Sequence, residues 1–327
     1  MSSVQLLDKT RKIGKLLHNN NSSKVVFNDI CAVMQEILGS NVLVISRKGK
    51  VLGIGVMVTK EVEIDNFDEL QLEASATVKY TQGEPCRCVV TIDENLLQYL
   101  DFNVKNGTLK IRQSEDGAKS AFSMSFGEKE LNIKKPTKPI DLRSTQFVIE
   151  IIAPKLTEVN SLNAGNILFM NDYKAEELEL NMSGSGSIQT RNLMVSDLEV
   201  NVSGSGSVKM DEVRAEKCDL KVAGSGLVSV NRATVMEMDA NMVGSGKINV
   251  NGSKIQKLNA DVAGSGNIGV EGWIQNANAK SVGSGNIVLG TVEMLRYDLV
   301  GSGNVEYVGD NANVDGFSAG SGRIVKR

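Results

Sequence analysis

The triplet Gly-Ser-Gly recurs eight times in the second half of the chain, and no other feature of the sequence constrains the fold as strongly. Its first glycine returns every 18 to 20 residues, at Gly184, Gly204, Gly224, Gly244, Gly264, Gly283, Gly301 and Gly320. Self-similarity at such a period is typical of a repeat protein in which each unit stacks on its neighbours. The repeat therefore decides the fold class before any other pattern is considered.

Each repeat is too short to hold helices and carries the pattern of β-strands. The apolar residues before the triplets alternate, as at Leu198, Val200 and Val202, and this is the period of a strand. β-Branched side chains fit pleated surfaces. They occupy the position four residues after the first glycine in every repeat: Ile188, Val208, Val228, Ile248, Ile268, Ile287, Val305 and Ile324. Each repeat is predicted to form a strand, a glycine corner and a second strand.

Identical residues at identical offsets favour parallel stacking of the repeats over consecutive hairpins. We therefore predict an all-β fold, a right-handed parallel β-helix with about 20 residues per coil, in which the Ile/Val column is an internal ladder. Glycine suits the corners because they need positive φ or a close approach of neighbouring backbones. A weaker unit at residues 163–167 (NAGNI) is predicted to be the first coil.

Three functional interpretations of the triplet are less consistent with the sequence. A phosphate-binding loop needs glycines that lead into a helix, usually with a lysine, whereas strands follow here. A calcium-binding β-roll needs an aspartate in each glycine-rich unit, whereas these triplets carry serine. A flexible Gly/Ser linker would lack the apolar ladder between triplets. The triplets are predicted to be structural corners.

The cysteines and the single histidine give little support for disulfide or metal chemistry. Cys31, Cys86, Cys88 and Cys218 are too sparse for a disulfide framework, and Cys86 and Cys88 would face the same side of a strand. With His18 as the only histidine, a zinc site has few ligands to draw on. We predict no catalytic, cofactor-binding or metal-ligating residues, and no cofactor.

The amino-terminal part of the chain differs from the rest in charge. Residues 1–50 carry a net charge of +5, which leaves −8 for the remainder of a chain whose net charge is −3. Residues 1–20 contain basic residues but no continuous apolar core of a signal peptide, and no segment reaches the ~18 apolar residues that span a bilayer. As written, the chain is expected to be soluble and cytoplasmic, with no membrane span.

The same region has the pattern of a small α+β unit. Helices are predicted over residues 4–17 and 27–38, each with its apolar residues on one face. Two apolar runs, residues 42–46 and 51–56, are joined by the turn sequence RKGK at residues 47–50 and predict a hairpin.

Two motifs in this region, residues 6–13 (LLDKTRKI) and 41–53 (NVLVISRKGKVLG), resemble the amino terminus of the CodY family of nutrient-sensing repressors. The resemblance covers about the first 55 residues and implies part of a GAF-type domain, which in that family senses branched-chain amino acids alongside a GTP response. The family's winged helix has no counterpart here, so no nucleic-acid partner is expected. No ligand-binding residue can be carried over, because the family's effector pocket lies mostly beyond the matched stretch.

A second resemblance covers residues 60–327. Residues 62–70 (VEIDNFDEL), 78–83 (VKYTQG), 106–111 (NGTLKI) and 244–249 (GSGKIN) are similar to the auto-transporter adhesin head (GIN) domain family. That resemblance implies a β-helical protein of the bacterial cell envelope or surface.

Together these patterns predict three parts. Residues 1–57 would form a truncated CodY-like GAF fragment, residues 58–155 an irregular β region, and residues 156–327 the Gly-Ser-Gly repeat β-helix. The charged residues 114–139 are predicted to leave the sheet, either as a cap on the amino-terminal end of the helix or as a mobile loop.

Parallel β-helices often carry polysaccharide lyases and hydrolases, which group acidic residues with arginine or lysine on one face. Here the carboxylates alternate with inward apolar residues and are interpreted as scattered outward positions: Glu199, Asp219, Asp239 and Asp261. Three aromatic residues are candidates for stacking on sugars, although single aromatics are common without function: Trp273, Tyr297 and Tyr307.

The main functional hypothesis is a non-enzymatic structural or adhesive module that presents a long surface to an unknown ligand, either a glycan or a protein. One alternative is a nutrient-sensing regulator remnant fused to a β-helix. Another is a carbohydrate-active enzyme on the same fold.

Overall fold

A computed structural model of the chain describes residues 31, 33–34, 44–45, 51–53, 57–97, 99–113 and 147–327. The helix predicted over residues 4–17 and the excursion predicted at residues 114–139 lie outside the described residues. Helical conformation occurs at Cys31, Val33 and Met34 and in one short helix, α1 (Glu94–Leu97).

Strands make up most of the described residues. Their bounds are β1 (Val44–Ile45), β2 (Val51–Gly53), β3 (Met57–Val62), β4 (Glu69–Leu72), β5 (Thr77–Gln82), β6 (Arg87–Asp93), β7 (Leu100–Lys105), β8 (Thr108–Gln113), β9 (Val148–Ala153), β10 (Glu158–Ser161), β11 (Asn166–Phe169), β12 (Tyr173–Lys174), β13 (Glu177–Gly184), β14 (Ser187–Met194), β15 (Asp197–Gly204), β16 (Ser207–Gly224), β17 (Leu227–Gly244), β18 (Lys247–Gly264), β19 (Asn267–Gly283), β20 (Asn286–Gly301), β21 (Val305–Val308), β22 (Asn313–Gly320) and β23 (Ile324–Lys326). Strands β1 and β2 pair antiparallel, which confirms the predicted hairpin, and all the others belong to one sheet.

The Gly-Ser-Gly repeats form a parallel β-solenoid, which confirms the predicted fold class; it has about 8 turns. Equivalent residues of successive repeats are partners across neighbouring strands, as Val208 is with Val228 and Gly224 is with Gly244. Strands β16, β17 and β18 each run for 18 residues, so the chain leaves strand geometry only at the corner. The right-handed winding stays a prediction.

The Ile/Val column is the internal ladder that the sequence predicts. From Ile188 to Val305 its members are fully buried, and the partner registers place them directly on one another. The ladder also continues upstream of the repeats, through Ile167 and Val78 to Ile149. The buried aliphatic side chains form one continuous core along the solenoid.

The two glycines of each corner are required for different physical reasons. The first glycine of each triplet has a positive φ, which ranges from 104° at Gly204 to 142° at Gly184. The third glycine is needed for close approach, because a Cβ on Gly246 would lie 2.4 Å from the carbonyl oxygen of Gly226. Between them, each serine amide donates to the coil before, as Ser245 N–H does to the Gly224 carbonyl oxygen at 2.9 Å.

The coils at the amino-terminal end do not stack in sequence order. Strand β4 pairs in parallel with β10 on one side and with β8 on the other, and β5 pairs in parallel with β11 and β9. The coil made from β4 and β5 is therefore inserted between two coils that occur later in the chain. Our prediction that residues 163–167 begin the first coil is wrong, because two coils without Gly-Ser-Gly corners stack beyond it.

Antiparallel strands cover the free edge of the outermost coil. Strand β6 pairs antiparallel with β9 and with β3, and β7 pairs antiparallel with β8. This pairing covers the edge of the outermost coil, and among the described residues β3 and β7 become the outer strands of the sheet at this end.

An aromatic cluster fills the core near this end. Tyr80, Phe169 and Tyr173 meet edge to face, with ring centroids 5.0 to 6.1 Å apart. The Tyr80 hydroxyl donates to the Ala153 carbonyl oxygen at 3.0 Å. The Tyr173 hydroxyl donates to the Leu156 carbonyl oxygen and accepts the Leu156 N–H at 2.9 Å, so both backbone groups of that buried residue are satisfied.

At the opposite end, β22 and β23 pair only on the side of β20 and β21 within the described part of the chain. Two basic residues near the end of the chain form ion pairs there. Lys326 lies 3.0 Å from Asp310, and Arg327 lies 3.7 Å from Glu306.

Candidate ligand-binding surface

The outward side chains of the solenoid form columns, because the register repeats from coil to coil. One column consists of carboxylates from six consecutive coils, all partly buried: Glu69, Glu158, Glu179, Glu199, Asp219 and Asp239. We call this the acidic column. Our interpretation of the carboxylates as scattered is therefore wrong for Glu199, Asp219 and Asp239, while Asp261 lies in the adjacent column.

Two members of the acidic column have pKa values that are shifted in opposite directions. Burial and then the neighbouring Asp239 raise the pKa of Asp219. By contrast, hydrogen bonds from Lys221 and Asn201 lower the pKa of Glu199, and its ion pair with Lys221 is 2.6 Å long.

A ladder of amides stands beside the carboxylates. Asn201 Nδ2 donates to Asn181 Oδ1 at 2.9 Å, and Asn181 Nδ2 donates to Asn160 Oδ1 at 3.0 Å. The same amides donate to carboxylates of their own coils, Asn201 to Glu199 at 3.1 Å and Asn181 to Glu179 at 2.9 Å. These donors partly offset the repulsion within the acidic column.

A different part of the surface carries a column in which cations alternate with neutral residues. In register order its members are Lys174, Met194, Arg214, Thr234, Lys254 and Trp273. The first five of these residues line a groove of about 500 Å³ together with Val195, Met236 and Glu216. We call it the basic groove. Trp273 lies directly beyond Lys254 in the column and is partly exposed.

The cations of this groove are accessible. Lys174 and Lys254 are exposed, and the Arg214 side chain is 60% exposed although its Nε contacts Glu212 at 2.7 Å. Glu212 also binds Arg232 at 2.9 Å, and hydrogen bonds from both arginines lower its pKa. The sequence carries a signal for this column, because its first five members are spaced by 20 residues.

A second groove, of about 460 Å³, lies further along the solenoid and is lined by polar residues that include Asn249, Asn251 and Glu271. Both carboxylates of this groove, Glu271 and Glu306, have a cationic neighbour, because Arg327 lies 3.7 Å from each of them.

The three aromatic residues considered for sugar stacking have different surroundings. Tyr297 and Tyr307 are partly buried and pack against the core. Trp273 is the member of the set that adjoins a groove.

The cysteines have the environment of structural thiols. Cys88 and Cys218 are buried, and Cys86 packs partly buried against the same core. Burial raises the pKa of all three thiols, that of Cys88 to about 12. Across the described residues, no group of three or more His, Cys, Asp or Glu side chains is arranged to hold a metal ion. The described helices include none that is both long and apolar enough to cross a membrane.

The fold and these columns define a class of protein. It is a parallel β-solenoid with Gly-Ser-Gly corners, in which the outward side chains of successive coils stand in register. The chain belongs to the family described as "Putative auto-transporter adhesin, head GIN domain", whose model matches residues 66–272 and 203–311. It is thus an adhesin-like β-solenoid protein.

Solved structures support the same fold. A putative lipid binding protein from Parabacteroides distasonis is 28% identical, with a TM-score of 0.63 over 84% of this chain and 97% of that one. A putative adhesin from Parabacteroides merdae is 22% identical, with a TM-score of 0.55 over 84% of this chain and 97% of that one.

The amino-terminal resemblance is also found. The model of the CodY GAF-like domain matches residues 5–103. The global transcriptional regulator CodY of Clostridium kluyveri is 62% identical over 48 residues, which are 15% of this chain and 19% of that protein. CodY of Shouchella clausii is 32% identical over 107 residues, 32% of this chain and 39% of that protein. The chain thus spans only about a fifth to two fifths of these relatives, and the match overlaps strands β3–β7, which pair within the solenoid sheet.

Proposed function

We propose that this protein is a non-enzymatic adhesin-like module of the bacterial cell envelope, which binds a surface ligand through the outward faces of its solenoid. The observation that carries the proposal is the register between coils, as in the pairing of Gly204 with Gly224 and of Val208 with Val228. A surface of this kind presents one side chain of each column at every coil, about 4.8 Å apart, and suits an extended or repetitive partner. Membership of the adhesin head family supports this proposal.

Two experiments test the proposal. In cells that produce the native gene, external protease should digest the repeats, detected with an antibody against residues 156–327, while a cytosolic marker stays intact. Purified full chain should bind to the surface of whole cells. Protection of the repeats together with the cytosolic marker would contradict an envelope location.

The absence of turnover is a separate part of the proposal. Incubation with a panel of polysaccharides should release no new reducing ends or unsaturated products, and release from any one of them would favour the carbohydrate-active enzyme instead.

The CodY match supports a second candidate function for the amino-terminal part. If residues 1–57 act as a sensing module separate from residues 58–155 and 156–327, the full chain should bind isoleucine, valine or GTP. Calorimetry tests this directly, and no heat with any of the three would remove the candidate. We expect no nucleic-acid binding in either case.

A further inference from the structure

We infer that the basic groove binds an anionic polysaccharide. Its linear chain would lie parallel to the solenoid axis, with its carboxylates along the column of cations. This inference rests on the proposed function and names the class of its ligand.

The charge of the groove is one-sided. Three of its lining residues are cations, Lys174, Arg214 and Lys254, and only Glu216 is an acid. No member of the acidic column lines the groove, so an extended anion bound there meets complementary charge. Arg214 keeps donors available beyond the Nε that contacts Glu212, because a guanidinium has five N–H groups.

The spacing of the cations favours a polymer over a single small anion. Lys174, Arg214 and Lys254 occupy every second coil of one column, so their backbones are about 10 Å apart. A ligand that engages all three must extend for about 20 Å along the axis. A linear polysaccharide that carries a carboxylate at regular intervals meets this requirement.

The groove also offers apolar surface on which sugar rings can pack. Met194 and Met236 are 47% and 55% exposed and offer apolar surface to the C–H faces of sugars. Val195 and Val235 also line the groove, and they are buried members of the packed core. Trp273 adds an aromatic ring at the end of the column, next to Lys254.

The position of Trp273 gives a direct readout, because it is the only tryptophan of the chain. We would titrate the full chain with polygalacturonate and follow tryptophan emission, with neutral dextran as the reference polymer. Polygalacturonate should change the emission in a saturable way, and the binding should weaken with added salt. Dextran should leave the emission unchanged.

A matched pair of variants separates the groove from general charge. The groove variant carries Lys174→Gln, Arg214→Gln and Lys254→Gln. The control variant removes the same charge from exposed lysines outside the groove, through Lys105→Gln, Lys155→Gln and Lys247→Gln. Loss of three exposed charge contacts should weaken polygalacturonate binding about tenfold in the groove variant, whereas the control should bind within about twofold of wild type. Circular dichroism and the melting temperature establish that both variants are folded.

Several results would overturn the inference. They are no binding of polygalacturonate by wild type, equal binding of dextran, an equal loss in both variants, or binding of anionic phospholipid vesicles in place of the polysaccharide. Binding of the full chain to whole cells is independent of these results, so the proposed function can stand where this inference fails.

Discussion

A Cβ added to Gly224 would lie 2.8 Å from the carbonyl oxygen of Gly204 in the neighbouring coil, and the φ of Gly224 is +115°. Both facts exclude a side chain at this corner. Gly224→Ala should therefore lower the free energy of unfolding by about 1–3 kcal/mol. Ser225→Ala, at the exposed neighbouring position, should change it by less than about 0.5 kcal/mol. Urea unfolding of the two variants checks this, and equal stability would show that the corner tolerates a side chain.

Removal of one charge from the acidic column should stabilise the protein at neutral pH. Burial and then the neighbouring Asp239 raise the pKa of Asp219 in the folded state. Ionisation of Asp219 therefore costs stability above its pKa, and this cost disappears as the pH falls below about 3.9. Asp239→Asn should raise stability by up to about 1 kcal/mol at pH 7 and have little effect at pH 3.

The control for this variant is Asp261→Asn, whose carboxylate is paired in register with Lys280 and should give a smaller gain. Thermal unfolding of both variants at pH 7 and pH 3 gives the comparison. A loss of stability at pH 7 in Asp239→Asn would mean that the ionised Asp239 carboxylate stabilises the folded protein, which would contradict this account.

Loss of the Tyr173 hydroxyl should be more costly than loss of the Tyr80 hydroxyl. Tyr173→Phe leaves two buried backbone groups of Leu156 without their partner and should cost about 1–3 kcal/mol. Tyr80→Phe removes one bond, to the Ala153 carbonyl oxygen, and should cost about 0.5–1.5 kcal/mol. Chemical denaturation measures both, and the reverse order would contradict this account of the aromatic cluster.

The thiols should react in the order of their exposure. Burial raises the pKa of all three thiols, but Cys86 is partly exposed, whereas Cys88 and Cys218 are buried. In the native protein, iodoacetamide should label Cys86 before Cys88 or Cys218, and faster at pH 9 than at pH 7 because the thiolate is the nucleophile. Peptide mass spectrometry identifies the labelled residue. Early labelling of Cys218 would show that the core opens at that coil.

The part of the fold that sequence predicts best is the part with a constant period. Ile188 and Val208 were placed on the internal ladder because every repeat supplies the same residue type at the same offset. The coil of β4 and β5 was missed because its corner has no Gly-Ser-Gly and its neighbours, such as Glu158 opposite Glu69, come from distant segments. Periodicity detects partners one repeat away, but it gives no signal for an inserted coil.

The surface was harder to predict than the core. Asp219 and Asp239 belong to a column that also includes Glu69 and Glu158, which lie outside the periodic region. Outward positions tolerate many residue types, so their columns become visible only when the register is known.

The inserted coil has a consequence for the order in which the chain can fold. The Gln82 amide bonds to the side chain of Asn171, which is 89 residues later, whereas Asn181 and Asn201 are 20 residues apart. Loops that close over 20 residues form sooner than loops that close over 89, because closure loses less entropy and brings its contacts earlier. During synthesis, strands β4 and β5 must wait for both of their flanking coils to leave the ribosome. When the complete chain refolds, we therefore expect assembly to begin in the repeats and the coil of β4 and β5 to close after them.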